Sequence, residues 1–186
     1  MESNTGKRTP LWVKILVPIL IIAVIGAIYL MKSNRNDDAV SKEPMVIDGA
    51  DFSLHVTEEI DFQTMAAYGM PLIVDYGATE CIPCKEMAPV LETLNAELAG
   101  KAFVKFVDVW KYPQAAGNVP VQLIPTQFFF NADGSPFVPS EELRSKIPFI
   151  QYVDSEEEDA NHIFTAHQGG LTEAEVREVL AEMGVE

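Results

Sequence analysis

The tetrad Cys81-Ile82-Pro83-Cys84 holds the only two cysteines of this 186-residue chain, and its flanks constrain the fold more than any other stretch. Upstream, Pro71-Leu72-Ile73-Val74-Asp75-Tyr76 is an apolar run of strand length. Downstream, Met87, Val90, Leu91, Leu94 and Leu98 recur at helical spacing. The cysteine pair therefore opens a helix directly after a buried strand, the setting in which C-x-x-C reads as a redox motif.

That placement has a chemical consequence. The first turn of a helix carries unpaired N–H groups and the positive end of the helix dipole, which stabilise a thiolate, the nucleophilic form of cysteine. Cys81, just before the helix, is expected to attack; Cys84, one turn in, is expected to resolve the mixed disulfide. Pro83 suits an early helical position, where a missing N–H costs little. Glu80 works the other way, because a carboxylate beside Cys81 disfavours the thiolate. Two other uses of the pair fit less well. A structural zinc site wants four ligands, and His55, His162 and His167 do not stand at paired ligand spacing, so no metal is expected. A static disulfide closing so short a loop removes little unfolded-chain entropy.

The N-terminal part has a different character. Leu11 to Met31 is apolar apart from Lys14. As a helix its 21 residues span roughly 31 Å, against about 30 Å for the hydrocarbon core of a bilayer. Lys14 can snorkel to the interface, and Pro18 is tolerable in a membrane helix. A cleaved signal peptide would have a shorter apolar region ending in small residues, whereas this one ends Ile28-Tyr29-Leu30-Met31-Lys32. The expected organisation is an N-terminal tail (1–10), a transmembrane anchor (11–31), a polar linker (32–50) and one domain (51–186). Basic residues flank the anchor almost evenly, so orientation rests on the short N-terminus, which suits a signal anchor with the domain outside the cytoplasm at the cell membrane.

Residues 1–32 hold four basic residues and one acidic residue, leaving nine basic and 27 acidic in the remainder, a formal charge of −18. Such a surface argues against nucleic acid as a partner and against adsorption to anionic headgroups. Within the domain the patterning predicts, in order, a strand at Phe52–Val56, a short helix at Ile60–Tyr68 and the strand at Leu72–Tyr76. The long helix to Leu98 follows, then a strand at Ala102–Trp110, a short helix at Pro113–Gly117, strands at Gln127–Phe130 and His162–Ala166, and a helix at Leu171–Met183 capped by Thr172. An acidic insertion at about 138–160, with Glu156-Glu157-Glu158-Asp159 inside it, reads as a solvated loop, with a partner-docking loop as the alternative.

In this order the motifs resemble those of the thioredoxin family over nearly all of Phe52 to Met183. Leu72-Ile73-Val74-Asp75-Tyr76 is similar to the family strand before the active site, and Cys81-Ile82-Pro83-Cys84-Lys85 to its C-x-P-C-K. Ile124-Pro125-Thr126 resembles the loop whose proline is cis, and His167-Gln168-Gly169-Gly170-Leu171-Thr172 the closing strand, glycine and helix. The resemblance implies an α/β thioredoxin fold, a central mixed β-sheet flanked by helices, after the transmembrane helix. It implies Cys81 as nucleophile, Cys84 as resolving thiol, and a redox-active Cys81–Cys84 disulfide with no further cofactor. Pro125, with Ile124, Ile82 and Pro83, would line the substrate groove for protein disulfides. Asp75 matches the family's buried acid, which would take the proton of Cys84.

Three departures stand out. Glu80 replaces the tryptophan usual before the first cysteine. Phe106 stands where many relatives keep a lysine near the buried acid, while Lys105 would face the other way. The acidic insertion lengthens the closing hairpin. The anchor, with the Gly-Ala-x-x-Cys-x-Pro-Cys-Lys and Val-Asp-Val-Trp-Lys patterns, resembles a membrane-tethered bacterial branch, which implies a membrane electron carrier of the cytochrome c biogenesis type as partner. The function expected is an extracytoplasmic thiol–disulfide oxidoreductase reducing protein disulfides; the proline in the x-x pair and Asp75 lean that way. A thiol oxidase or disulfide isomerase using the same residues, and a tethered client-binding module, stand as alternatives.

Overall fold

A computed structural model describes residues 49–155 and 160–185 of the chain. The anchor and most of the linker lie outside the described residues. No helix among the described residues is long and apolar enough to cross a membrane.

Six strands form one sheet in the order β1-β3-β2-β4-β6-β5. They are β1 (His55–Val56), β2 (Leu72–Gly77), β3 (Phe103–Asp108), β4 (Thr126–Phe130), β5 (Ile150–Val153) and β6 (His162–Gln168). β1, β3 and β2 run parallel; β4, β6 and β5 continue the sheet antiparallel. The helices are α1 (Phe62–Ala66), α2 (Ile82–Leu98), α3 (Glu141–Lys146) and α4 (Glu173–Glu182), with one 3-10 turn at Pro113–Ala116.

Because strand side chains alternate between faces, each central strand feeds two cores. Leu72, Val74 and Tyr76 of β2 join Phe103, Val107, Phe128 and Phe130 on one face, against α1. Ile73 joins Val104 and Phe129 on the other, where Met87, Leu91 and Leu94 of α2 and Val176, Val179 and Leu180 of α4 close over them. Asp75 shares the face of Ile73 and so points toward α2. The register then sets one row of side chains across the sheet: His55–Phe106–Asp75–Gln127–His167.

Several elements differ from the sequence-based expectation, among them β3, which ends at Asp108 rather than Trp110 because the Asp108 carboxylate accepts the Trp110 and Lys111 amides and turns the chain there. The first strand is shorter because the carbonyls of Asp51, Phe52 and Ser53 are taken by side chains, accepting from Lys105 Nζ (2.6 and 2.7 Å) and Asn95 Nδ2 (2.7 Å), instead of joining a ladder. The first helix starts at Phe62 rather than Ile60, because the Asp61 carboxylate caps the N–H groups of Gln63 and Thr64 (3.0 and 3.1 Å) while Ile60 turns into the core. The largest correction concerns the acidic insertion. Residues 141–153 are not a solvated loop: Ser140 caps α3 through the Leu143 amide (3.2 Å), and Glu141 and Glu142 fall in its first turn. Leu143 and Ile147 are buried against α4. β5 then adds an edge strand to β6. The closing helix begins where expected, Thr172 and Glu175 forming a reciprocal capping box.

Candidate active site

Cys81 is the N-cap of α2, with extended backbone, and its sulfur accepts the Cys84 amide at 3.4 Å. The two cysteines are joined by a disulfide with Cα atoms 5.3 Å apart. Both are buried, whereas Ile82 between them is 73% exposed and Pro83 is exposed beside it. The helix N-terminus thus directs N–H density and the positive dipole end at the Cys81 sulfur, where a thiolate forms on reduction. Ala78 and Ile124 pack directly on the pair.

The Ile124–Pro125 peptide is cis. Its loop is fixed from both sides: Thr126 Oγ1 donates to the Leu123 carbonyl (2.7 Å), and the Gly169 amide donates to the Pro125 carbonyl (2.9 Å). Next to that Gly169 contact a groove of about 470 Å³ runs between Pro83, Met87 and Val90 of α2 and the Gly170–Glu173 segment.

Asp75 is fully buried. Burial pushes its carboxyl up to about 7, against the hydrogen bond from Gln127 that pulls it down. Gln127 Nε2 donates to Oδ1 at 2.6 Å and also contacts Met87 sulfur at 3.2 Å. Oδ2 has no hydrogen-bond partner among the described residues. A side chain at Gly77 would meet this oxygen at 3.2 Å, the Cys84 sulfur at 3.3 Å and the Phe106 ring at 2.8 Å. The unpartnered carboxyl oxygen and the Cys84 sulfur therefore border the same space, kept open by the missing Cβ of Gly77. The geometry suits proton transfer between them: an acid near neutrality, on the inner side of the second thiol, with a free oxygen.

Phe106 takes the register position beside Asp75, and among the described residues only the Gln127 hydrogen bond opposes the desolvation there. Lys105, one residue earlier, points to the other face, where it binds the Asp51 and Ser53 carbonyls; burial pulls its ammonium down, partly opposed by the Asp51 carboxylate. Behind Cys84, a cavity of about 150 Å³ opens between α2 and Leu54, His55 and Phe106. Among the described residues no cluster of three or more His, Cys, Asp or Glu side chains is placed to hold a metal ion.

The structure brings Cys81, Cys84, Asp75, Ile124 and Pro125 to one end of the sheet. Sequence reasoning missed the parts of Gln127 and Gly77. A glutamine opening the run Gln127-Phe128-Phe129-Phe130 is a polar residue in an otherwise apolar strand, and it gave the signal. It also missed Asp108, whose Oδ2 accepts the amide (2.9 Å) and hydroxyl (2.8 Å) of Thr79, and whose Oδ1 accepts the amides of Trp110 (3.1 Å) and Lys111 (3.0 Å). Burial raises its pKa, but these hydrogen bonds outweigh it and hold the carboxyl below its usual value.

The thioredoxin family model matches residues 53–155. Thioredoxins of Staphylococcus aureus strains Mu50 and MW2 are each 42% identical to this chain over 91 residues, covering 46% of it and 86% of their own length. Among solved structures, a chloroplastic thioredoxin z aligns with a TM-score of 0.47 and 21% identity over 73% of this chain and 96% of its own. The Malassezia sympodialis thioredoxin aligns at 0.46 and 18%, over 72% and 92%. The family model covers the disulfide, the buried acid and the proline loop in one continuous match, so this chain belongs to the thioredoxin family and is a thiol–disulfide oxidoreductase.

Proposed function

We propose that the protein is tethered to the cell membrane by residues 11–31, with its domain outside the cytoplasm, and that it reduces disulfides of polypeptide clients there. The observation that carries the redox reading is the shared space between the unpartnered Asp75 oxygen and the Cys84 sulfur. In the reduced protein the Cys81 thiolate attacks one client sulfur, forming a Cys81–client disulfide and releasing the other client sulfur as thiolate. The Cys84 thiol gives its proton to the Asp75 carboxylate. Its sulfur then attacks Cys81, the mixed bond breaks, and the second client thiolate leaves. Two electrons pass to the client, and the Cys81–Cys84 disulfide remains. Polypeptide rather than small-molecule clients are favoured by the Ile124–Pro125 backbone beside the disulfide and the groove along Pro83 and Gly170, which together offer a track for an extended chain.

Outside the cytoplasm the disulfide must be reduced again by two electrons delivered through the membrane and handed over by thiol–disulfide exchange, hence a membrane electron carrier of the cytochrome c biogenesis type as partner. The apolar length of residues 11–31 supports the tether. The reduction potential of the Cys81–Cys84 couple tests the direction. A value near about −270 mV, the figure general for thioredoxin, is expected. A value near about −120 mV would make the protein an oxidant and remove the need for the carrier. Protease treatment of intact cells and spheroplasts tests the topology: a domain cut in spheroplasts supports the placement, and one cut only after lysis overturns it.

A further inference from the structure

Trp110 is 62% exposed in the loop after β3. Leaving an indole in water forgoes the burial that makes tryptophan among the most stabilising core residues, and this one is not on a loose segment. The Asp108 carboxylate ties the amides of Trp110 and Lys111 to the amide and hydroxyl of Thr79, two residues before Cys81. The Val109 amide donates to the Gly77 carbonyl at 2.9 Å, and the Tyr112 amide to the Asp108 carbonyl at 2.8 Å. The backbone carrying the indole is therefore locked to the strand end that enters the active site. The residue immediately before Cys81 supplies no apolar surface: the Glu80 side chain is 75% exposed and pairs with Lys85 at 3.5 Å. Exposed apolar side chains also stand at Ile82 (73%), between the two cysteines, and at Leu123 (46%), next to Ile124, which packs against the cluster that holds the cysteines.

We propose that Trp110 is the aromatic contact for the client, the surface on which a large apolar side chain flanking the client's disulfide cysteine rests while the Cys81–client bond exists. The proposal deepens the polypeptide-disulfide reading above and rests on it. It assigns the client class as polypeptide disulfides with an apolar or aromatic residue near the cysteine. Ile82 and Leu123 extend the contact, and Glu80 and Lys85 form its polar rim. Aromatic residues centred in a contact carry much of the binding energy, and removing one typically costs tenfold or more.

The test uses the full chain and two substrates: insulin, which presents side chains around its disulfides, and hydroxyethyl disulfide, which has none. The readout is the ratio of their kcat/KM values. For Trp110→Ala this ratio is expected to fall about tenfold, mainly through the KM for insulin, and Trp110→Phe should restore most of it. A ratio that stays fixed, whether both rates hold or both fall together, overturns the proposal. A wild-type protein that reduces neither substrate overturns the oxidoreductase reading and this one with it, and is told apart because the failure precedes any substitution. A second measurement needs no turnover. With Trp12→Phe leaving Trp110 as the only indole, and Cys84→Ser trapping the mixed disulfide with a client peptide, Trp110 emission should shift to the blue. Unchanged emission in the trapped complex overturns the contact.

Discussion

Replacing Asp75 by Asn should stabilise the oxidised protein at pH 8 and hardly at all at pH 4. Asp75 has no exposed surface, and burial lifts its carboxyl from an unfolded value of 3.8 to about 7. The folded state therefore holds this proton more tightly than the unfolded chain. The resulting stabilisation is fully present below about pH 4 and is lost progressively as pH rises toward 7. One pKa unit corresponds to about 1.4 kcal/mol, so the whole loss is about 4 kcal/mol. Asn cannot ionise and escapes it. Its Oδ1 can still accept from Gln127, and its Nδ2 replaces an oxygen that already lacks a partner, so the pH-independent offset should be small. The other shifted acids, Asp108 and Glu175 among them, are present in both proteins and cancel in the difference. Urea unfolding of wild type and variant, oxidised, at half-unit steps from pH 4 to 8.5 gives the test. The stability gap should widen by about 1.4 kcal/mol per pH unit and level off above 7. A gap independent of pH would refute the reasoning, because Asp75 would then carry its charge without cost.

Three further outcomes are expected. Gly77→Ala places a methyl 2.8 Å from the Phe106 ring and 3.3 Å from the Cys84 sulfur; it should cost about 1–3 kcal/mol and slow release of a Cys81–client disulfide, read by stopped-flow. Leu143→Ala should cost about 2–5 kcal/mol in urea unfolding, because this side chain pins α3 to the core under α4. Phe106→Lys puts an ammonium in the register position beside Asp75 and should bring its carboxyl well down from about 7, followed by carbon-13 NMR of the Asp75 side chain.

The disulfide, the helix after it and the buried acid were legible because each is a local pattern: two cysteines at fixed spacing, apolar residues every third or fourth position, and an acid inside an apolar strand. The acidic insertion was not, because composition outvoted position. Counting carboxylates between 138 and 160 suggests solvent, yet Ser140 before Glu141-Glu142-Leu143 is a capping pattern, and Leu143 and Ile147 are spaced to touch the core together. β5 was hidden for a related reason. An edge strand with exposed and half-buried positions, such as Ile150-Gln151-Tyr152-Val153, is stabilised by its ladder to β6, and its own sequence shows little of this. Gln127 and Asp108 act through partners 52 and 29 residues away, and no local window contains such pairs.

The same register explains why the acid sits near neutrality. β2 and β3 pair Asp75 with Phe106, so the face that points at Cys84 receives a phenyl ring, and Lys105 is carried to the opposite face by strand alternation. A cation beside Asp75 would favour its charged form and draw its pKa down; a ring deepens the desolvation instead. Gln127 then offers one hydrogen bond to one oxygen, which limits the upward shift and leaves the other oxygen free on the side of Gly77 and Cys84. A base works best when its pKa lies near the ambient pH, since it must be ionised often enough to accept a proton and basic enough to hold it. Moving the lysine by one residue along β3 would leave the sheet intact and put a charge where the ring now stands. The pairing register therefore tunes the resolving step of this site.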